Sequence, residues 1–208
     1  MFEVIGQRHS SRAPFSSCPI PDTVQIELEQ EAGSEFALLR LLNDHDVGVV
    51  LELAAAADRA LECDFDHRVE LSRWVGTEGD DGLPAGALAH RPDAGPAPVR
   101  NFGYAAPAIE RPAGHYEQRP RLAVLSTARD EPGDWLRAGQ ALQRVLLTAT
   151  RNGLATSLLY QPIERHDQEH QGRGWWPWPE CPQVIIRFGY GPPGTSTPRR
   201  SVEDILDA

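Results

Sequence analysis

The sequence has no lysine. All 20 of its basic residues are arginine, set against 30 acidic residues, for a formal net charge of −10. This absence excludes Schiff-base chemistry and a Walker-type phosphate lysine. The acidic excess argues against nucleic-acid and anionic-membrane partners, since both need a positive field. Any bound anion must therefore be held by arginines gathered locally. Cysteine is scarce: Cys18, Cys63 and Cys181 are odd in number and far apart. They read as reduced thiols, with neither a disulfide framework nor a Cys-x-x-Cys metal pair. No apolar run approaches the roughly 20 residues of a membrane span, and Met1–Arg12 lacks the apolar stretch of a signal peptide. The expectation is a soluble, cytoplasmic protein. The signatures G-x-S-x-G, G-x-G-x-x-G and Walker A are also missing.

What is present suits one globular core: 40% hydrophobic residues over 208 positions, read as a single domain spanning 1–208. Val24, Leu28 and Ala32 recur at helical spacing. Asp22 and Gln25 resemble a capping box, Gly33 the C-cap, and Glu27, Glu29 and Glu31 an acidic outer face. Residues 36–42 read as a buried strand. A second helix runs from about Asp46 to Leu61 with Val50, Leu53, Ala57 and Leu61 inward, and a short third covers His67 to Val75. Residues 121–127 form a strand. The helix that follows Pro132 buries Trp135, Ala138, Leu142, Val145 and Ala149, leaves Arg137, Gln140, Arg144 and Arg151 wet, and ends at Asn152–Gly153 in a left-handed cap. Strands follow at 155–160 and 184–188, then an extended arm (GPPGTSTPRR) and a last helical turn at 201–206. Between these halves, 76–114 holds 13 Gly or Pro in 39 residues. A stretch of that composition and length reads as a surface excursion, a candidate lid.

Four stretches carry chemistry. Arg8-His-Ser-Ser-Arg12 places two guanidinia around a hydroxyl, a donor set suited to phosphate. Pro198-Arg199-Arg200 adds a second arginine pair at the other extremity, and folded domains often bring their termini together. Each pair alone also reads as a solvated basic segment. His166-Asp-Gln-Glu169-His170 matches H-x-x-E-H, a zinc-peptidase pattern, with Cys181 as a third ligand, but its surroundings lack an apolar face and read as a linker. Trp175-Trp176-Pro177-Trp178-Pro179 reads as a loop anchor or a stacking platform.

Together these residues resemble the FMN-dependent nitroreductase superfamily, and within it the Acg-like branch of NAD(P)H nitroreductases, by its C-terminal domain. The likeness rests on FEVIGQRHSSRAPF, on DWLRAGQALQRVLLTATRNGLATSLLYQPIE and on PQVIIRFGYGPPGTSTPRRSVEDIL. The resemblance implies an α+β fold, with a central mixed sheet flanked by helices and an extended C-terminal arm, binding FMN at a homodimer interface. It implies that Arg8, Ser10 and Arg12 hold the ribityl chain and phosphate, and that Arg199 and Arg200 close on the phosphate. Leu158, Leu159, Tyr160 and Gln161 would face the isoalloxazine. The implied chemistry is ping-pong hydride transfer from NAD(P)H through the flavin to a nitro compound, quinone or similar small acceptor, which needs no catalytic dyad. One departure stands out: where the family carries a P-S-x-x-N-type stretch, residues 31–36 read Glu-Ala-Gly-Ser-Glu-Phe. The alternative is a non-catalytic member that sequesters flavin, or lacks it, and acts by association.

Overall fold

The computed structural model describes residues 2–76, 81–93, 95, 97–164, 176, 178–198 and 200–206. Its centre is a four-stranded sheet in the order β1–β4–β6–β5, formed by Leu38–Leu41, Arg121–Thr127, Cys181–Gly189 and Ala155–Leu159. The run RLAVLST lacks polar alternation because β4 is covered on both faces. Ala123 and Leu125 join the core under α1 (Asp22–Gly33) and α4 (Pro132–Arg151), with Leu28, Ala141, Val145 and Ile186. Leu122 and Val124 point the other way, into the core under α2 (Asp44–Cys63), with Val50, Ala54, Leu159 and Ile185. A short α3 (Phe65–Ser72) extends the α2 side. The α+β class is as the resemblance implies. The four strands pair antiparallel throughout. In place of the expected mixed sheet, parallel pairing at this sheet is, among the described residues, one bridge, Ser10 to Thr156 on the free edge of β5.

Several local expectations differ from what formed. Pro21 sits at the N-cap of α1, so Asp22 caps no N–H there, and Gln25 Nε2 donates to the Ile20 carbonyl at 2.7 Å and to Asp22 Oδ1 at 3.4 Å. The left-handed turn after α1 falls on Phe36 (φ 59°) rather than Gly33, leaving the Phe36 ring exposed. The acidic face of α1 is wet only in part: Glu29 is exposed, while Glu27 and Glu31 are half-buried. Glu31 and Glu35 receive Arg144 at 3.2 and 2.7 Å, and Glu27 receives Arg151, so the supposed solvent faces of α1 and α4 stitch the two helices together. Trp135 is 53% exposed instead of buried. Gly153 does take the left-handed cap (φ 71°), with the Leu154 N–H returning to the Ala149 carbonyl at 2.9 Å.

The Gly/Pro-rich stretch is not a free surface excursion. It buries Ala87, Leu88, Ala89 and Val99 and contains a two-residue parallel ladder of β2 (Arg91–Pro92) with β3 (Ala113–Gly114). Its return is pinned by a buried ion pair. Arg187 on β6, 0% exposed, donates to both Glu117 oxygens at 2.6 and 2.7 Å and to the Ala13 carbonyl at 3.1 Å. Its guanidinium lies 3.6 Å from the Phe15 ring centroid. All three guanidinium nitrogens and both carboxylate oxygens are engaged, Glu117 Oε2 also accepting from the Phe15 N–H at 3.0 Å, the condition under which a buried charge is tolerated.

Candidate functional site

The N-terminal segment follows a 3-10 helix at Phe2–Gln7 and runs extended beside β5. The Ser11 N–H donates to the Thr156 carbonyl at 2.8 Å, and the Ser11 side chain is buried. Period-two alternation then turns Ser10 and Arg12 to the opposite side, while Arg8 ends the preceding helix, its N–H donating to the Val4 carbonyl at 3.1 Å. The C-terminal arm crosses here. Gly194 passes so close to the Ser10 carbonyl and His9 that a Cβ would overlap them, which is why glycine stands at this crossing. One residue on, Thr195 Oγ1 donates to the Gly86 carbonyl at 2.8 Å, while Arg12 Nη1 donates to the adjacent Ala87 carbonyl at 3.2 Å. Three remote stretches therefore meet at one junction: residues 8–12, the 76–114 segment and the arm.

The expected site residues divide as follows. Ser10 and Arg12 share the junction, Arg8 ends the helix just before it, and neither arginine has an ion-pair partner among the described residues. Arg200 is turned to Asp81, at 3.5 Å, rather than toward Arg8 or Arg12. Arg199 lies outside the described residues. Leu158 is half-buried against the α4-side core, whereas Leu159 is 0% exposed in the α2-side core. Tyr160 is half-buried, and burial pushes its phenol pKa up, with Glu164 adding to the rise. Gln161 is wholly buried, with Nε2 donating to Asp58 on α2 at 3.0 Å and Oε1 left without a partner. The His166–His170 motif lies outside the described residues, as do Trp175 and Pro177. Trp176 is buried against Trp178, ring centroids 4.5 Å apart, in keeping with a loop anchor. No metal-binding cluster occurs among the described residues.

Sequence reasoning missed the partners that the middle segment supplies. Phe102 lies under the Arg12 guanidinium at 5.0 Å, and Arg100 lies over the same ring at 4.8 Å. Burial first, then the Arg100 charge, hold the Arg12 pKa below its ordinary value. Burial raises the Asp58 pKa, against opposing hydrogen bonds from Gln161 and the Asn101 N–H. Beyond this hub a cavity of about 670 Å³ opens between α2 (Glu52, Asp58, Glu62) and the middle segment (His90, Val99, Asn101). The signal available in the sequence was Val-Arg-Asn-Phe at 99–102, an apolar anchor, a cation and a ring in an otherwise small-residue stretch.

The fold is that of the nitroreductases. A nitroreductase with bound FMN from Desulfitobacterium hafniense superposes with a TM-score of 0.59 at 13% identity, covering 98% of this chain and 94% of that one. The FMN- and NADPH-dependent nitroreductase NfnB from Sphigopyxis sp. strain HMH superposes with a TM-score of 0.55 at 15% identity, covering 100% and 97%. No protein-family profile matches the chain. In sequence it is 30% identical, over 98% of its length, to the "Putative NAD(P)H nitroreductase acg" of Mycobacterium tuberculosis, of which it spans 63%. The resemblance to the nitroreductase superfamily and its Acg-like branch thus runs through the whole chain.

Proposed function

We propose that this chain binds FMN and acts as an NAD(P)H-dependent oxidoreductase of nitroreductase type, working as a homodimer. The observation that carries the reading is the junction itself. In an acidic protein, Ser10 and Arg12 stand at the crossing of the C-terminal arm, with Arg8 just ahead of them, and among the described residues no carboxylate pairs with either cation. Guanidinium and hydroxyl donors of this kind fit a phosphate dianion. Arg8, Ser10 and Arg12 would hold the phosphate end of FMN. When bound, the flavin supplies hydride transfer, taken from a nicotinamide and passed to a nitro compound, quinone or similar acceptor. The chain's own task is then to bind, orient and shield. Tyr160, at the end of β5 with a raised phenol pKa, stays protonated at neutral pH and offers an O–H donor. The test is an absorbance spectrum of purified protein before and after FMN addition, followed by NADH or NADPH. Expected are flavin bands that bleach with either nicotinamide and recover on adding a quinone or nitroaromatic. A protein that takes up no FMN would overturn the reading.

A second reading, flavin sequestration, is favoured by one observation. The middle segment is strapped over Arg12 by the Ala87 carbonyl and the Phe102 ring, and tied to the arm by Thr195. Such a strap makes the 76–114 segment a lid held shut. Bound FMN that resists reduction by both nicotinamides would select this reading over turnover.

A further inference from the structure

Two guanidinia on one phenyl ring, with no counter-ion in bonding range among the described residues, are an unusual arrangement in a chain of net charge −10. Like charges held this close repel, and folding tolerates them where a ring face or an anion compensates. Phe102 supplies part of that compensation. Asp58, whose carboxylate feels the Arg100 charge, forms no ion pair with it, and it is already engaged by Gln161 Nε2 and the Asn101 N–H. Arg12 spends one N–H on the Ala87 carbonyl, while Arg100 Nε is buried without a partner.

The position of Arg100 is built rather than incidental. Val99 before it is 2% exposed. Asn101 after it accepts from Arg111 Nη1 and from the Gly103 N–H, both at 3.0 Å. Arg111 also donates to the Ala89 carbonyl at 3.2 Å and fills the space a side chain at Gly103 would need. The loop 99–103 is therefore fixed on both flanks, and the one side chain it turns toward Arg12 without a bonded partner is a cation.

We propose that Arg100 joins Arg12 in a two-guanidinium clamp for the phosphate of the bound ligand, a role the sequence assigned to the terminal arginine pair. This inference rests on the flavin reading for the identity of the ligand, but the clamp itself is a statement about phosphate. In this arrangement the middle segment is part of the binding site: it brings the second cation, and Arg200 is left to tie the arm to Asp81.

The experiment compares wild type with Arg100→Gln, Arg100→Lys and Arg68→Gln, the last an exposed arginine on α3 giving the same charge change. FMN and riboflavin dissociation constants are measured by flavin fluorescence, and pyrophosphate is titrated against thermal unfolding. Loss of a charge-assisted bond predicts that Arg100→Gln weakens FMN by roughly 10- to 100-fold. Riboflavin affinity stays unchanged, Arg100→Lys falls between, and Arg68→Gln matches wild type. Pyrophosphate raises the unfolding temperature of wild type but not of Arg100→Gln. Equal FMN affinity in Arg100→Gln and Arg68→Gln would overturn the clamp, as would equal losses for FMN and riboflavin. Wild type that ignores FMN yet is stabilised by pyrophosphate through Arg100 retains the clamp and overturns the flavin reading. Wild type that responds to neither overturns both.

Discussion

Tyr116 shows how one side chain couples the junction to the rest of the chain. Its hydroxyl reaches the Arg12 carbonyl at 2.8 Å and the His90 carbonyl at 3.2 Å, so the neutral phenol ties the N-terminal segment to the middle one. Burial is the main reason that its pKa is pushed up to about 12. A tyrosine in an unfolded chain ionises near pH 10. Between about pH 10 and pH 12 the unfolded chain sheds a proton that the folded chain keeps, so stability falls as pH rises through that window. Urea-unfolding midpoints on either side of pH 10 should decline for wild type, and more shallowly for Tyr116→Phe. The slope does not vanish, because Tyr104 and Tyr160 are also raised by burial. Equal slopes in the two proteins would remove Tyr116 as the source.

At the scale of elements, α4 is the clearest case of what local pattern can and cannot disclose. Its start at Pro132 and its stop at Gly153 were legible because both follow from backbone rules that act within a few residues. Gly153 has open space around it, so Gly153→Ala adds no clash and tests the left-handed backbone alone. A loss of about 1 kcal/mol in urea unfolding is expected. The bounds of β4 were legible as well, since a run covered on both faces is apolar throughout. The ion pairs from Arg144 to Glu31 and Glu35 were not, because helical spacing marks a polar face without saying which other polar face meets it. Arg12 was legible as a cation in a phosphate-like pattern, whereas its neighbours Arg100 and Phe102 sit about 90 positions away in a stretch whose composition signals only irregularity. Leu158 and Leu159 were read as facing one ligand, but strand alternation sends them to opposite cores.

For the molecule as a whole, the junction depends on the arm lying flat against Ser10. Gly194→Ala places a methyl group where the Ser10 carbonyl stands. Strain of that kind, of order 1–3 kcal/mol, is relieved by lifting the arm, which belongs to neither core cluster. FMN affinity should fall about tenfold or more while the thermal midpoint moves little. An unaltered affinity would mean that the arm is dispensable for binding.

The contact between Arg187 and Ala13 joins positions 174 residues apart, and the Glu117 partner lies 70 away. During synthesis, then, residues 11 and 12 meet Ala87, Tyr116 and Thr156 before β6 emerges, whereas Ala13 gains its Arg187 partner only with the last strand. Until that moment Glu117 lacks the guanidinium that engages both of its oxygens. A truncation ahead of β6 therefore leaves Ala13 and Glu117 without the cation that joins them, and strands β4 and β5 without the strand that lies between them.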